Sequence, residues 1–517
     1  MTFMDRFKMQ TPKQEGSQVM AIFVAAFAAF GGILYGYDTG TISGILTMDY
    51  VRETFPDTPG TFTAGESSLI TSILSVGTFA GALSAPLASD TLGRRLGLMI
   101  ACVIFSVGVL LQTITTGKDL LIAGRVIAGF GVGNISSIVP LYQSEAAPKW
   151  IRGAIVCGYQ WAITIGLLLA AIVNNATQHR NDTGSYRIPI AVQFAWALIL
   201  FFGMLVLPET PRFWVKSGKI DKATKSLSTL RGLPEDHEIV LEELSEIQAS
   251  YEMEMSMGSS SVMELFTKEN RQLKRMLTGA GVQALQQLTG VNFIFYYGTA
   301  FFKSAGIENS FTVNIITNVV NVVCSVPGMV GVELLGRRTL LLAGSVGMSV
   351  SQLIVAVVGS TIDSEVSNKC LIAFSCIFIG CFAATWGPVP WVIVGEIFPL
   401  RVRGKAVALC AAVNWLFNFA IAYATPFLVD SGPGNANLGS KVFFIWCGCN
   451  TLSFFFVFFL VYETKNMSLE EIDAMYDNCS SAIKSIHYVP EHHSFKDTDY
   501  ESEEKKMGDI EHNEIVV

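Results

Sequence analysis

The sequence contains twelve long apolar segments, and they determine what kind of fold the chain can adopt. About 20 apolar residues in a helix are needed to cross the roughly 30 Å hydrocarbon core of a bilayer. Hydrophobic residues make up 51% of the 517 residues and charged residues only 15%, whereas soluble domains carry about 25% charged residues. This composition excludes a cytosolic enzyme, a nucleic-acid-binding protein and a disulfide-rich secreted domain. The predicted spans cover residues 20–46, 65–89, 96–116, 120–143, 153–175, 187–207, 276–302, 311–335, 339–361, 370–397, 404–429 and 440–462.

A polar insert separates the first six spans from the last six. The predicted parts are an N-terminal tail (1–19), a six-helix bundle (20–207), a helical linker (208–275), a second six-helix bundle (276–462) and a C-terminal tail (463–517). The first 19 residues are polar, so the first span is predicted to act as an uncleaved insertion signal. The ten cysteines have neither disulfide-framework nor zinc-site spacing, and no metal site is predicted.

The loop charges indicate the orientation of the chain in the membrane. An even number of spans places both termini on the same side. The loops on that side carry nineteen Lys and Arg residues, ten of them in the linker, against seven on the other side. Positive charge concentrates on the cytoplasmic side of membrane proteins, so we expect a multi-pass membrane protein with both termini in the cytoplasm. The sequons at Asn175 and Asn181 then lie in an outer loop, where their glycosylation stays open.

Three charged motifs recur in the same order in the two bundles. They are Asp90 to Arg95, repeated 243 residues later as Glu333 to Arg338; Glu145 to Arg152, repeated after 251 residues as Glu396 to Arg403; and Glu209-Thr210, repeated after 254 residues as Glu463-Thr464. This order predicts a duplicated half. We therefore expect an all-α membrane protein whose twelve helices form two pseudo-symmetric halves, with a binding site between them near the membrane midplane.

The charged residues of these motifs are predicted to form an inner-side latch. Acids at helix ends beside arginine pairs can build ion-pair networks that hold the two halves together while the site faces outward. Anchoring of helix ends to lipid headgroups is the alternative. The predicted latch residues are Asp90, Arg94, Arg95, Glu145, Arg152, Glu209, Arg212, Glu333, Arg337, Arg338, Glu396 and Arg403.

Neutral amide side chains lie within the apolar spans, and each would cost about 1–3 kcal/mol if left without a hydrogen bond. Amides both donate and accept, as sugar hydroxyls require; hydrogen bonding between helices, about 0.6 kcal/mol on average, is the alternative. On an unbroken helix Asn292 would point away from the glutamines of span 7. Unwinding at Thr289-Gly290 would turn Asn292 toward the cavity. The amides are Gln160, Gln283, Gln286, Gln287, Asn292, Asn321, Asn414 and Asn418.

Several motifs together carry a family resemblance. They are Gly36-Tyr37-Asp38-Thr39-Gly40, Pro140-x-Tyr142-x-x-Glu145, Pro208-Glu209-Thr210-Pro211-Arg212, Gln286-Gln287-Leu288-Thr289-Gly290-Val291-Asn292, Pro388-Val389-Pro390-Trp391 and Glu463-Thr464-Lys465. With them the sequence resembles the sugar porter family of the major facilitator superfamily, and fungal hexose transporters in particular. The resemblance implies the major facilitator fold. It also implies a sugar site lined by Gln160, Gln286, Gln287, Asn292, Asn321, Trp391 and Asn418, with Tyr296 and Tyr297 closing its outer face. Some members have an acid in span 10 where this chain has Ala383, so that polar contact is not expected.

Asp38 and Arg125 are the two charges that lie away from the ends of the predicted spans, inside the membrane. Each costs roughly 2.5–3.5 kcal/mol on insertion scales, which marks both as functional candidates. A movable Asp–Arg pair could exchange a proton as the site changes sides, and a static salt bridge is the alternative. The resemblance extends to proton symporters that match both residues and to fungal facilitators that match Asp38. Proton symport and facilitated diffusion therefore both stay open.

The resemblance implies a plasma-membrane carrier that brings a monosaccharide, glucose and related hexoses first, into the cell by alternating access. It implies no enzymatic activity and no cofactor. The expected partners are the sugar, protons if transport is coupled, and the lipid bilayer, with no nucleic acid and a monomer as the functional unit. Two alternatives stay open: a sugar-sensing receptor that does not transport, and a pentose or polyol carrier. Sensors of the family tend to have longer cytoplasmic tails than residues 463–517, which favours the carrier.

Overall fold

The computed structural model describes residues 19–488 except 148–151, 257–260, 269–270, 305, 308, 362–364, 466, 468 and 480. Within this part of the chain every regular element is helical. The helices of the first half and of the linker are α1 (Val19–Ala28), α2 (Phe30–Ile45), α3 (Asp49–Thr54), α4 (Ala64–Leu92), α5 (Arg94–Ile114), α6 (Lys118–Ala146), α7 (Arg152–Thr177), α8 (Gly184–Val206), α9 (Pro211–Lys216), α10 (Ile220–Arg231) and α11 (Glu238–Ser256).

The second half contains the remaining helices. They are α12 (Gln272–Leu288), α13 (Val291–Ser304), α14 (Ser310–Leu335), α15 (Arg337–Thr361), α16 (Glu365–Ala384), α17 (Val389–Glu396), α18 (Leu400–Val429), α19 (Val442–Leu460) and α20 (Leu469–Asn478). The predicted spans correspond to these helices within a few residues, which confirms the twelve-span, all-α architecture. The first, seventh and tenth spans are each built from two consecutive helices.

Eleven helical stretches in the described part are long and apolar enough to cross a bilayer. The predicted seventh span is missing from that set because it is split into α12, with 17 residues, and α13, with 14. Between them, Gly290 has a φ of +84°, a left-handed conformation that glycine adopts without a steric penalty. A side chain at this position would collide with the Trp446 ring. The predicted unwinding at Thr289-Gly290 is therefore confirmed.

The two halves meet mainly along three helix pairs: α4 with α18, α7 with α14, and α2 with α13. The end of the bundle that carries residues 19 and 488 is called the terminal end below, and the opposite end is called the distal end. Helices α4 and α18 run antiparallel through the whole bundle, since α4 begins at the distal end and α18 ends there. The interface between the halves thus extends over the depth of the membrane.

The linker divides between the two halves. Helices α9 to α11 enclose a small apolar core of their own, formed by Val215, Ala223, Leu227, Val240 and Leu244, and α9 and α10 contact the first half. A short 3₁₀ helix, Val262–Phe266, packs on α12 and α18 of the second half. Helix α12 begins at Gln272, four residues before the predicted seventh span, and the boundary between linker and second bundle stays a prediction.

The beginning of the predicted C-terminal tail is folded. Helix α20 buries Met475 and Tyr476 at the terminal end of the second half. The Tyr476 ring stacks on Tyr462 with centroids 4.6 Å apart. The fully buried Arg275 guanidinium lies 4.3 Å from the centroid of the Tyr476 ring and pairs with Asp473.

Candidate functional site

A cluster of buried amides lies near the middle of the bundle, on α12, α13 and α18. Gln287 is at its centre: its Nε2 atom donates to Asn414 Oδ1 at 2.9 Å. Its Oε1 atom accepts from Asn418 Nδ2 at 3.2 Å and from Asn292 Nδ2. The helix break brings Asn292 into this position, as predicted. The donors and acceptors of Gln287 are thus matched by other neutral amides, with no charged group in the cluster.

Gln286 connects this amide cluster to the second helix break. Its Nε2 atom donates to the carbonyl oxygens of Trp386 and Gly387, both at 2.9 Å. These carbonyls are available because α16 ends at Ala384 and α17 begins only at Val389. The Gln286 Oε1 atom accepts from Asn414 Nδ2 at 2.7 Å. Gln286 therefore fixes the irregular backbone between α16 and α17 against the amide cluster.

Tyrosines and one serine complete the cluster on its distal side. The Tyr296 hydroxyl donates to Asn418 Oδ1 at 3.1 Å, and the Tyr297 hydroxyl donates to the Ala422 carbonyl at 2.7 Å. Ser75 of α4 donates to the same Asn418 Oδ1 atom at 2.7 Å. Ser75 belongs to the first half, so the cluster is shared between the halves. This is the arrangement that a site between two moving bundles requires.

Three further predicted sugar-site residues lie on α7, α14 and α17, helices that carry none of the amides around Gln287. Gln160 is half-buried on α7, Asn321 is buried on α14, and Trp391 is half-buried on α17. Helices α7 and α14 are in contact, since the Trp161 indole Nε1 atom donates to the Val322 carbonyl at 3.2 Å. Gln160 and Asn321 therefore lie on α7 and α14, which form a second contact between the halves. Their roles in sugar binding stay predictions.

Asp38 and Arg125 are both fully buried within the first half. Neither oxygen of the Asp38 carboxylate has a hydrogen-bond partner among the described residues, and the same holds for Nε and Nη2 of Arg125. The side chains that act on the carboxylate are Arg125, through its charge, and Gln193, through its amide. The two charges thus lie near each other without forming an ion pair. Proton exchange and a static structural role therefore both stay predictions for this pair.

The distal end is closed by hydrogen bonds between the halves. The Ser43 hydroxyl lies 3.3 Å from the Thr299 hydroxyl. Ser68 donates to the Tyr423 carbonyl at 2.7 Å. Lys303, near the end of α13, donates to the Thr47 carbonyl at 3.4 Å and lies 3.3 Å from Asp49. With the distal end closed in this way, the amide cluster has no direct access to the distal side between α2 and α13.

At the terminal end of the first half, the predicted latch residues form a network within that half. Arg94 pairs with Glu145 at 2.8 Å, and Thr210 donates to Glu145 at 2.5 Å. Arg94 also lies 3.7 Å from Asp90. The backbone N–H of Arg95 donates to Glu209 at 2.9 Å. Burial raises the pKa of the Glu209 carboxyl, and this backbone hydrogen bond opposes the rise.

The second half repeats this network in detail. Arg337 pairs with Glu396 at 2.8 Å, and Thr464 donates to Glu396 at 2.6 Å. The backbone N–H of Arg338 donates to Glu463 at 3.0 Å. Gly93 and Gly336, which precede the arginine pairs, have φ values of +95° and +92°. The equivalence of these contacts confirms the duplicated half that the motif offsets predict.

The remaining latch residues are placed as follows. Glu333 lies 3.3 Å from Arg337, the Arg403 guanidinium donates to the Phe398 carbonyl at 3.0 Å, and Arg212 is exposed. The side chain of Arg152 is outside the described part. The ion pairs found among the latch residues join helices of one half, in a structure whose distal end is closed. The predicted latch across the halves, in the outward-facing state, therefore stays a prediction.

Some contributors were not singled out from the sequence. Ser75 belongs to a stripe of buried polar residues on the face of α4 that contacts α18. The spacing of this stripe, three or four residues, is a signal that the sequence does carry. Gln193 near Asp38 has no comparable signal, because a single glutamine in an apolar span does not indicate which helix it faces. The stripe comprises Ser68, Thr71, Ser72, Ser75 and Thr78.

Comparisons with known proteins agree with this geometry. Residues 24–476 match the family model described as "Sugar (and other) transporter". The chain is 55% identical to the major facilitator-type transporter ecdD of Aspergillus rugulosus, over 91% of this chain and 90% of that protein. It is 49% identical to the high glucose sensor RGT2 of Saccharomyces cerevisiae, over 91% of this chain but only 62% of the sensor.

The fold also matches a solved transporter structure. The structure of the proton:xylose symporter XylE bound to 6-bromo-6-deoxy-D-glucose superimposes with a TM-score of 0.75 at 25% identity. The match covers 89% of this chain and 100% of XylE, which comes from Escherichia coli. The family match, together with the two bundles and the amide cluster between them, leads to one assignment. The chain belongs to the sugar (and other) transporter family and has the major facilitator fold.

Proposed function

We propose that this protein carries a monosaccharide, most readily glucose or a related hexose, across the plasma membrane into the cell by alternating access. The observation that carries the proposal is the cluster of neutral amides around Gln287, which lies midway through the bundle and is shared between the halves through Ser75. Two relatives support the choice of sugar: one is named a glucose sensor, and the other is a symporter bound to a deoxyglucose derivative.

The chemistry of the amide cluster suits a ligand that must be released again. Gln287 and Asn414 bond each other in this structure, and a sugar hydroxyl can replace each amide partner as donor and acceptor. A typical hydrogen bond contributes only about 0.5–1.5 kcal/mol net, because binding exchanges one partner for another. The sugar therefore binds through many weak and neutral contacts. Such a site can load on one side of the membrane and empty on the other.

We place both termini in the cytoplasm, so the closed distal end faces outward and we expect the amide cluster to open toward the terminal, cytoplasmic side. One chain supplies the amide cluster, its Ser75 partner in the other half and both sides of the distal closure, which supports a monomer as the functional unit. Nothing in the proposed transport requires a cofactor or a catalytic group. Labelling of the Asn175 and Asn181 loop with impermeant reagents on intact cells tests this orientation.

We further propose that uptake is coupled to protons through Asp38. A fully buried carboxylate without a hydrogen-bond partner is costly in a membrane and is retained for function. The neighbouring Arg125 and Gln193 can compete for it as the helices move. A membrane potential of 100 mV adds about 2.3 kcal/mol per charge moved, enough for tens-fold accumulation of the sugar. Facilitated diffusion is the outcome that contradicts this part of the proposal.

The test is expression in cells that lack their own hexose carriers, with labelled glucose uptake measured with and without a protonophore. Transport predicts saturable uptake above the vector control, and proton coupling predicts accumulation that the protonophore abolishes. Competition by xylose, fructose, galactose and a polyol identifies the preferred substrate. A protein that reaches the cell surface and takes up none of these compounds would contradict the transport proposal.

A glucose-sensing receptor is the second candidate function, since the chain is 49% identical to a protein named a high glucose sensor. A sensor and a carrier can share the same amide cluster, so binding alone does not separate them. Glucose-dependent protection of the purified protein against thermal unfolding, combined with no uptake in the cell assay, would favour the sensor. Saturable uptake favours the carrier.

A further inference from the structure

The break between α12 and α13 leaves one backbone carbonyl without its helical partner. In an unbroken helix the N–H of Phe293 would donate to the Thr289 oxygen. Here it donates to the Gly290 oxygen at 3.1 Å instead. The Thr289 carbonyl therefore needs another donor, because a buried carbonyl without one costs about as much as a lost hydrogen bond.

Two buried amides from other helices donate hydrogen bonds to this carbonyl. Gln352 of α15 donates to the Thr289 oxygen at 2.8 Å, and Asn450 of α19 donates to it at 3.1 Å. Asn450 also donates to Gln352 Oε1 at 2.7 Å. Both side chains are 0% exposed. The three groups form a closed triangle around the point where the chain bends.

The helices that meet at this triangle pack against different parts of the protein. Helices α15 and α19 pack on each other and on further helices of the second half. Helix α13 instead carries Asn292 into the amide cluster and Thr299 to the first half. The triangle thus joins α13, which contacts the first half, to α15 and α19, which pack within the second half.

We propose that Gln352 and Asn450 are positioning residues that form the pivot of α13, on which closure of the distal end depends. Neither residue reaches the amide cluster, so they act through the Thr289 carbonyl. The role of α13 in closing over a sugar rests on the proposed transport function. Without either amide, the angle between α12 and α13 is less constrained. Helix α13 then adopts several directions and contacts the first half for a smaller fraction of the time.

The experiment measures closure without sugar. Ser43→Cys and Thr299→Cys, whose hydroxyls lie 3.3 Å apart across the gap, form a disulfide under an added oxidant when the distal end is closed. The joined fraction is scored after cutting the chain at a protease site inserted in the linker. Gln352→Met and Asn450→Leu should each slow this cross-link about five- to tenfold, the factor expected for a lost hydrogen bond to a buried carbonyl.

Gln143→Met is the matched control. Gln143 is also 0% exposed, and its amide donates to the carbonyls of Ala25 and Ile155 at 3.0 and 3.4 Å, near the terminal end. The same chemical change there should lower thermal stability and leave the cross-linking rate unchanged. Asn450→Ser, which keeps a small donor, replaces Asn450→Leu if the latter does not fold, and should slow the cross-link less than Gln352→Met does.

Uptake separates this inference from the transport proposal. In the variants we expect glucose turnover to fall by the same factor as the cross-linking rate. Cross-linking within twofold of the unmodified pair in both Gln352→Met and Asn450→Leu would overturn the pivot, as would an equal slowing in Gln143→Met. A protein that takes up no sugar, yet shows the predicted change in cross-linking, would overturn the transport proposal and leave the pivot standing.

Discussion

Gln287 and Asn414 face each other near the middle of the second half, where Gln287 Nε2 donates to Asn414 Oδ1 at 2.9 Å. Asn414 in turn donates to the side-chain oxygens of Gln283 and Gln286, both at 2.7 Å. Each amide in this pair therefore has its partners already arranged before a ligand arrives. A bound sugar needs only to exchange partners, without a large rearrangement of the helices.

Removal of the central amides should weaken sugar binding. We expect Gln287→Ala and Asn292→Ala each to raise the half-saturation concentration for glucose uptake about 10- to 100-fold, since each leaves buried amide partners unsatisfied. Asn174→Ala is the control, because Asn174 is an equally buried amide that bonds the Gly40 and Thr41 carbonyls instead. Unchanged half-saturation in both variants, with normal delivery to the surface, would place the sugar site elsewhere.

Ser75 connects the two halves at the amide cluster, and its removal should favour the distal-open state. In a Thr299→Cys background, Ser75→Ala should increase alkylation by a membrane-impermeant maleimide about two- to tenfold, the effect of a typical neutral hydrogen bond. Thr299 is fully buried while the distal end is closed. Thr78→Ala serves for comparison, since Thr78 only donates to the Ser75 carbonyl within α4. Equal reactivity in the two variants would argue against a role for Ser75 in closure.

Asp38→Asn tests proton coupling. The amide keeps the shape of the carboxylate but cannot carry a proton through the cycle. We expect the variant to equilibrate labelled glucose without accumulating it, and its uptake to become insensitive to a protonophore. The unsubstituted protein should accumulate glucose in the same cells. Accumulation that persists in Asp38→Asn would show that another group couples transport to protons.

The network at Glu145 is buried and should be sensitive to loss of one charge. The side chains of Arg94 and Glu145 are each only 7% exposed. Arg94→Gln leaves an unpaired carboxylate, so we expect destabilisation of about 3–5 kcal/mol, seen as a lower unfolding temperature in detergent. The double variant Arg94→Gln/Glu145→Gln should regain part of this loss. A double variant less stable than the single one would refute the assignment of the cost to an unpaired charge.

The sequence predicted the spans and the repeat because both depend on local patterns. Apolar length predicts a span, and the offsets between Arg94 and Arg337 or Glu145 and Glu396 reflect contacts that recur within each half. The break at Thr289-Gly290 was also predictable, since Asn292 would otherwise point away from the glutamines on α12.

Contacts between helices were harder to predict. Gln352 and Asn450 lie about 100 residues apart and meet only because α15 packs on α19, which no spacing rule indicates. The break between α16 and α17 has a signal in Pro388 and Pro390, but prolines are also tolerated within continuous membrane helices, so they do not by themselves indicate an interruption. The absence of an Asp38–Arg125 ion pair depends on how α2 and α6 are rotated about their own axes, which the periodicity of the sequence does not determine.

The folded segments at the terminal end belong to different bundles. Helices α9 and α10 rest on the first half, whereas α20 is fastened to the second through Arg275, Asp473 and the stacked tyrosines. Rocking of the bundles must therefore change the separation between these two surface helices. A donor fluorophore on α10 and an acceptor on α20 would follow the conformational cycle in real time, with no label near the membrane interior.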